Sequence, residues 1–172
     1  MLFKLRLFWY RVDKGAFAFA LFFGAVVGAL AFAAGAVFSE RDEQVIRAKE
    51  FHVRSVECLA RNVYYEARGE SIAGQYAVAE VTMNRRASPG YPKTVCEVVY
   101  QRAAFSWTGF RVLPEPDGDE WKQAQRVAEI VYYQKRAPTM HGVLFYHATY
   151  VKPDWAEERT RVARIGRHVF YR

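Results

Sequence analysis

Glu66 and Glu70 stand one helical turn apart in the stretch Cys58-Leu-Ala-Arg-Asn-Val-Tyr-Tyr-Glu-Ala-Arg-Gly-Glu70. Glu66 lies on the flank of an apolar stripe made by Val56, Leu59, Ala60, Val63, Tyr64 and Ala67, the spacing of one buried helical face. A carboxyl at the edge of such a face, beside a break between two helices, can line a cleft. Burial there raises its pKa, so that it can donate a proton near neutral pH. Most glutamates on helices are solvated surface groups, so spacing alone does not select Glu66. The four histidines, His52, His141, His147 and His168, form no HExxH pattern, and the interval from His141 to His147 is not the i,i+4 pair of a helical zinc site. No metal site and no cofactor is expected. Neither Cys58 nor Cys96 has a histidine beside it in sequence, which argues against a thiol nucleophile. In an exported domain this even pair favours a disulfide; in a reducing compartment it would be two buried thiols.

The elements that must position these residues follow from periodicity and punctuation. The stripe through Ala67 predicts a helix closed by Gly69 as a C-terminal cap, and Ser71 is placed to cap the next helix, which runs on toward Arg86. Residues 87–93 read as a loop, 94–100 as a short helix and 102–118 as irregular chain. From Asp119 to about Lys135 a helix is expected, with Trp121, Ala124, Val127, Ala128 and Val131 on one face. After Pro138 the pattern changes. Val143 to Val151 and Arg161 to Tyr171 are rich in β-branched and aromatic residues and predict strands of a small sheet, separated by a turn at Pro153-Asp-Trp155. The class expected is α+β, predominantly α.

The N-terminal part is of another kind. Residues 1–14 are short, apolar and basic, and Ala16 to Phe38 then runs for about 23 positions without a charge, enough to cross a bilayer as a helix. The basic flank comes first and the mixture Glu40-Arg-Asp-Glu43 follows, so the positive-inside rule predicts an exported body. The expected division is a cytoplasmic flank at 1–14, a transmembrane anchor at 15–38, a helical connector at 39–54 opened by a capping pair Ser39/Asp42, and a globular domain at 55–172. Ala34-Gly-Ala36 has the small residues of a signal-peptide cleavage site, but the apolar run is longer than a usual signal core. Gly24 and Gly28 make a GxxxG pair, a pattern of helix dimerisation and also a common composition of membrane helices.

The 172-residue chain carries a net charge of +7 and 16% aromatic residues. A basic surface suits an anionic polymer, and Arg159, Arg161, Arg164 and Arg167 cluster near the end. No nucleic-acid motif accompanies them, so no nucleic-acid partner is expected. Anionic lipid and other anionic polymers, peptidoglycan with its free peptide carboxylates among them, stay open, and charge alone does not choose between them. Trp107 and Trp155, in polar loop contexts, are candidates for stacking on a sugar ring, and Phe105 is a further candidate for binding substrate.

Several separated blocks carry a resemblance: Tyr65-Glu-Ala-Arg-Gly-Glu70, Gly74-Gln-Tyr-Ala-Val-Ala79, Asn84-Arg85, Tyr91-Pro92, Cys96-Glu-Val-Val99, Phe105-Ser-Trp107 and Ile165-Gly-Arg-His-Val-Phe-Tyr171. In this order and spacing they resemble the catalytic domain of the cell-wall hydrolases related to spore-cortex-lytic enzymes. The resemblance implies a lysozyme-like or lytic-transglycosylase-like fold and cleavage of peptidoglycan glycan strands, with the first glutamate of the block, Glu66, as the essential acid. Glu70 is then either a second site carboxylate or a structural partner of Arg68 or Arg85. Gln75, Asn84, Tyr146, His147 and His168 are candidates for positioning substrate. The chain departs from the spore enzymes in having an apolar span where they have a separate wall-binding repeat domain. It lies nearer to the cysteine-containing members of Gram-negative bacteria, which implies a place at the inner membrane facing the periplasm. A non-catalytic wall-binding or scaffolding role is the rival from another class.

Overall fold

The computed structural model describes residues 14–172. The basic flank at 1–14 therefore lies, Lys14 apart, outside the described residues. Helix α1 (Lys14–Ala67) contains the apolar run and is the one helix among the described residues long and apolar enough to cross a membrane. The chain divides into two compact units, residues 1–49 and 50–172. In the first, the described residues are helical and exposed throughout. No helix start occurs at Ser39, contrary to the expected capping pair, because α1 passes through this position without interruption.

The second unit contains the C-terminal part of α1, then α2 (Ile72–Ala87), the short α3 (Val95–Val99) and α4 (Gly118–Tyr132). Three strands follow, β1 (Phe145–Ala148), β2 (Arg161–Ile165) and β3 (His168–Tyr171). They form an antiparallel sheet in the order β1-β3-β2, with all four residues of the central strand buried. Two turns of 3-10 helix, at Ser106–Gly109 and Asp154–Ala156, interrupt the connections. The unit is mostly helical with a small sheet.

Two apolar clusters hold it together. The first joins α1, α3 and α4 through Leu59, Ala60, Val63, Val95, Val99, Ala124, Val127 and Ala128. The second lies between α2 and the sheet, around Val78, Val81, Val143 and Phe170, and takes in Ala67 at the end of α1. Cys58 and Cys96 are joined as a disulfide that ties α1 to α3. Ser71 caps α2 by accepting a hydrogen bond from the Gly74 amide (3.3 Å). Thr94 and Glu97 form a reciprocal capping box on α3. Gly69 is not the left-handed cap expected, since its φ is not positive. Its missing side chain instead makes room for the Arg167 guanidinium, which would lie 3.1 Å from a Cβ.

Candidate active site

Glu66 is the last charged residue of α1, and the core contacts of Val63 and Ala67 fix its direction. The Tyr146 hydroxyl on β1 donates a hydrogen bond to Glu66 Oε2 (2.9 Å). Burial pushes the Glu66 carboxyl up from its ordinary pKa; the Tyr146 bond and the positive charge of Arg85 oppose the shift without cancelling it. Burial also raises the Tyr146 phenol well above its usual value, and the Glu66 charge adds to that, so this hydroxyl stays a donor. Arg85 is itself held: its Nε donates to the Leu144 carbonyl (2.8 Å), and its guanidinium lies over the Phe105 ring (5.1 Å). A half-buried carboxyl with a raised pKa, steered by one neutral donor and one distant cation, can give a proton and take one back.

Glu70 has a different task. Its Oε1 accepts from Arg167 Nε (2.6 Å) and its Oε2 from the Arg167 backbone amide (3.1 Å). Burial alone would raise its pKa, but the bonds to Arg167 outweigh that and hold it below the ordinary value. Its side chain is 5% exposed. The partner is thus Arg167, not Arg68 or Arg85. Gly166, in the left-handed region at φ +54°, lets the β2–β3 turn close on this carboxylate; a Cβ there would strike Glu70 Oε2.

The other candidates separate by face and burial. On the sheet, Tyr146, His168 and Phe170 share one face, with the Tyr146 and His168 rings 5.1 Å apart. Burial lowers the His168 pKa, and its Nδ1 is buried without a partner. His147 is on the opposite face and stacks on Tyr171. Its Nδ1 faces the Ala148 carbonyl and must donate there, which leaves Nε2 to accept from the Tyr171 hydroxyl (2.9 Å). His147 is therefore removed from the group that faces Glu66. Asn84 donates to the Met140 and Val143 carbonyls and braces α2 against the approach to β1. Gln75 Nε2 donates to the Glu70 carbonyl (3.2 Å), while its Oε1 is buried and unpaired. Phe105 and Trp107 are 4% and 7% exposed, so they belong to the core rather than to an open stacking surface. Each is packed under a second ring: Phe105 near Tyr146 (6.5 Å) and Trp107 against Tyr65 (4.6 Å).

Sequence reasoning gave no site role to Arg85 or Asn62. Asn62 is fully buried, donates to Thr82 (3.1 Å) and accepts from Trp107 Nε1 (3.0 Å). A polar residue one turn before Glu66 on an apolar face was the available signal. A cleft of about 860 Å³ opens between α1 and α4, lined by Val56, Arg61, Trp121 and Arg126 among others. It includes none of the residues that bond Glu66.

The fold places this carboxyl, raised in pKa by burial, on a small helical domain with a sheet at one side. The family model for Cell Wall Hydrolase matches residues 69–171, and the chain belongs to that family. Glu66 lies three residues ahead of the matched segment, so its role rests on geometry and on the sequence block around it. Curated relatives include the spore cortex-lytic enzymes of Bacillus subtilis (30% identical over 123 residues, 70% of this chain and 38% of the relative) and Halalkalibacterium halodurans (30% over 116 residues, 67% and 34%). The chain thus spans little more than a third of the length of these relatives. Among solved structures, the catalytic domain of the Bacillus cereus SleB protein is similar, with a TM-score of 0.57 and 26% identity over 69% of this chain and 89% of that one. The catalytic domain of the germination-specific lytic transglycosylase SleB from Bacillus anthracis gives a TM-score of 0.55 at 26% identity, over 69% and 93%.

Proposed function

We propose that this protein cleaves the glycan strands of peptidoglycan as a lytic transglycosylase, with Glu66 as the single acid and base. The observation that carries the reading is the Glu66 carboxyl, raised in pKa by burial while the neighbouring carboxylate Glu70 is committed to Arg167. A hydrolase of the ordinary two-carboxylate type needs a second free carboxylate as nucleophile or base. Glu70 is unsuited to that, and the buried Glu80 is bound by Arg136 and by the amides of Thr139 and Met140. One glutamate suffices for transglycosylation. Glu66 protonates the glycosidic oxygen as the bond to C1 breaks. The resulting carboxylate takes the proton of the muramic acid C6 hydroxyl as that oxygen attacks C1, and the product is a 1,6-anhydro end. Tyr146 keeps its hydrogen bond to Glu66 through both half-reactions and holds the carboxyl in place. Relatives named as cell-wall and spore cortex-lytic enzymes support the substrate class.

The proposal extends to location. The apolar run in α1 serves as a single-pass anchor in the bacterial inner membrane, with the second unit in the periplasm. The Cys58–Cys96 disulfide is consistent with an oxidising compartment. The test is digestion of purified sacculi by the detergent-solubilised full chain beside its Glu66→Gln variant, with the muropeptides identified by mass. Anhydro-muropeptides are expected from the parent, and a loss on the order of a hundredfold or more from the variant. Undiminished cleavage by Glu66→Gln would remove Glu66 from the mechanism. Binding to sacculi without cleavage by either chain would favour a wall-binding role.

A further inference from the structure

Tyr65 precedes Glu66 by one residue on the same helix, and Trp107 lies two residues beyond Phe105, the ring beside Tyr146. Tyr65 and Trp107 meet face to face, with ring centroids 4.6 Å apart. A groove of about 380 Å³ opens there, lined by Arg61, Tyr65, Tyr100, Trp107, Phe110 and Arg111 among others. We propose that this groove is a sugar-binding subsite, in which Tyr65 with Tyr100 and Phe110 stacks on a ring of the glycan and Arg111 receives a carboxylate carried on that ring's substituent. The proposal rests on the glycan-cleaving reading above and names the part of the substrate that the carboxyl's own surroundings leave unassigned.

Rigidity is the first argument. Trp107 lies flat under Tyr65, with ring planes 29° apart, and its Nε1 is tied to Asn62, which is tied to Thr82, whose hydroxyl donates to the Val78 carbonyl. On the other side the Tyr65 hydroxyl donates to the Pro114 carbonyl (2.7 Å). An aromatic ring held on both sides loses little freedom when a ligand stacks on it. Trp107, nearly buried, is the backing of this platform and Tyr65 its half-exposed surface.

Two exposed rings that the fold does not use point the same way. Tyr100 is 52% exposed and Phe110 65%, and Tyr100 meets Trp107 edge-on at 5.7 Å. Apolar faces beside a polar rim fit a sugar, which offers C–H groups on its faces and hydroxyls at its edges. Charge points the same way too. Arg61 is paired with Glu57 and Glu115, whereas Arg111 makes no ion pair among the described residues. A free guanidinium at the rim selects a carboxylate-bearing glycan over a neutral one.

Equilibrium binding to the full Glu66→Gln chain in detergent tests this without any turnover. The probes are chitotetraose and a muramic-acid-containing tetrasaccharide with peptide stems. Tyr100→Ala and Phe110→Ala, both exposed positions, are each expected to weaken both ligands about tenfold. Arg111→Ala is expected to weaken only the carboxylated ligand. Unchanged affinities in the aromatic variants, or no binding by the Glu66→Gln parent, would overturn the subsite. An equal loss for both ligands with Arg111→Ala would overturn its role in reading charge. A parent chain that binds as described but whose wild type never cleaves would sink the catalytic reading and leave the subsite standing.

Discussion

The proton affinity of Glu66 is set by opposing influences that can be removed one at a time. Burial favours the neutral acid, while the Tyr146 hydroxyl and the Arg85 charge favour the anion. Tyr146→Phe deletes a bond to the charged form, so the carboxyl pKa rises further. The acid must be protonated to act, and activity is lost as pH rises through that pKa. The alkaline limb of a kcat/KM profile is therefore expected to move to higher pH in Tyr146→Phe, with kcat lower by about tenfold from lost positioning. An unmoved or lowered limb would contradict the assignment of the hydrogen bond. Glu70 answers the opposite sign. Its folded pKa is depressed, so its stabilising bonds are complete above the ordinary carboxylate value and are lost as pH falls through the lower folded one. Thermal melts of the parent should fall across that acidic window, and those of Glu70→Gln should be flatter there. The sequence singled out Glu66 as a candidate acid and offered Tyr146 only for positioning substrate, not as the hydrogen-bond partner of that carboxyl. Tyr146 stands 80 residues away and Arg167 stands 97 from Glu70, and helical periodicity reports only neighbours within a turn or two.

At the scale of elements, local signals worked where local physics decides. The stripe Leu59, Ala60, Val63, Tyr64 and Ala67 is buried as its spacing required, and Ser71 caps α2. Gly69 misled because a glycine after an amphipathic run usually supplies a left-handed cap. Here it makes room for an arginine from the far end of the chain. Phe105 and Trp107 are buried although the sequence around them is polar. A polar sequence context says nothing about the long-range contacts that cover a ring, and both are roofed by other aromatics. The β2–β3 turn is the element that closes on α1, and Gly166→Ala should destabilise the domain by about 1–2 kcal/mol from backbone strain alone, with a further cost from displacing Glu70. A melting temperature equal to the parent's would contradict that role. The disulfide closes a separation of 38 residues between α1 and α3. Replacing both cysteines by serine should cost about 4 kcal/mol by loop-closure entropy, read as a lower denaturant midpoint in chemical unfolding.

For the whole molecule, the proposed wall substrate would meet a chain of net charge +7. The charge supplies a non-specific attraction to an anionic wall, which salt screens. The fraction of Glu66→Gln chain bound to sacculi should fall as salt is raised from about 0.05 M to 0.5 M, whereas the stacking contribution of the aromatic groove should persist. The family and the mostly helical fold were readable from separated sequence blocks, since their order survives even at the 26–30% identity to relatives seen here. The reaction outcome depends on whether water reaches C1, and that is a property of the assembled site. The most direct measurement is digestion of sacculi by the full chain in water enriched in oxygen-18, with the product ends read by mass. Transglycosylation predicts anhydro ends carrying no label. Labelled reducing ends would contradict it, showing that water and not the muramic acid C6 hydroxyl attacks C1.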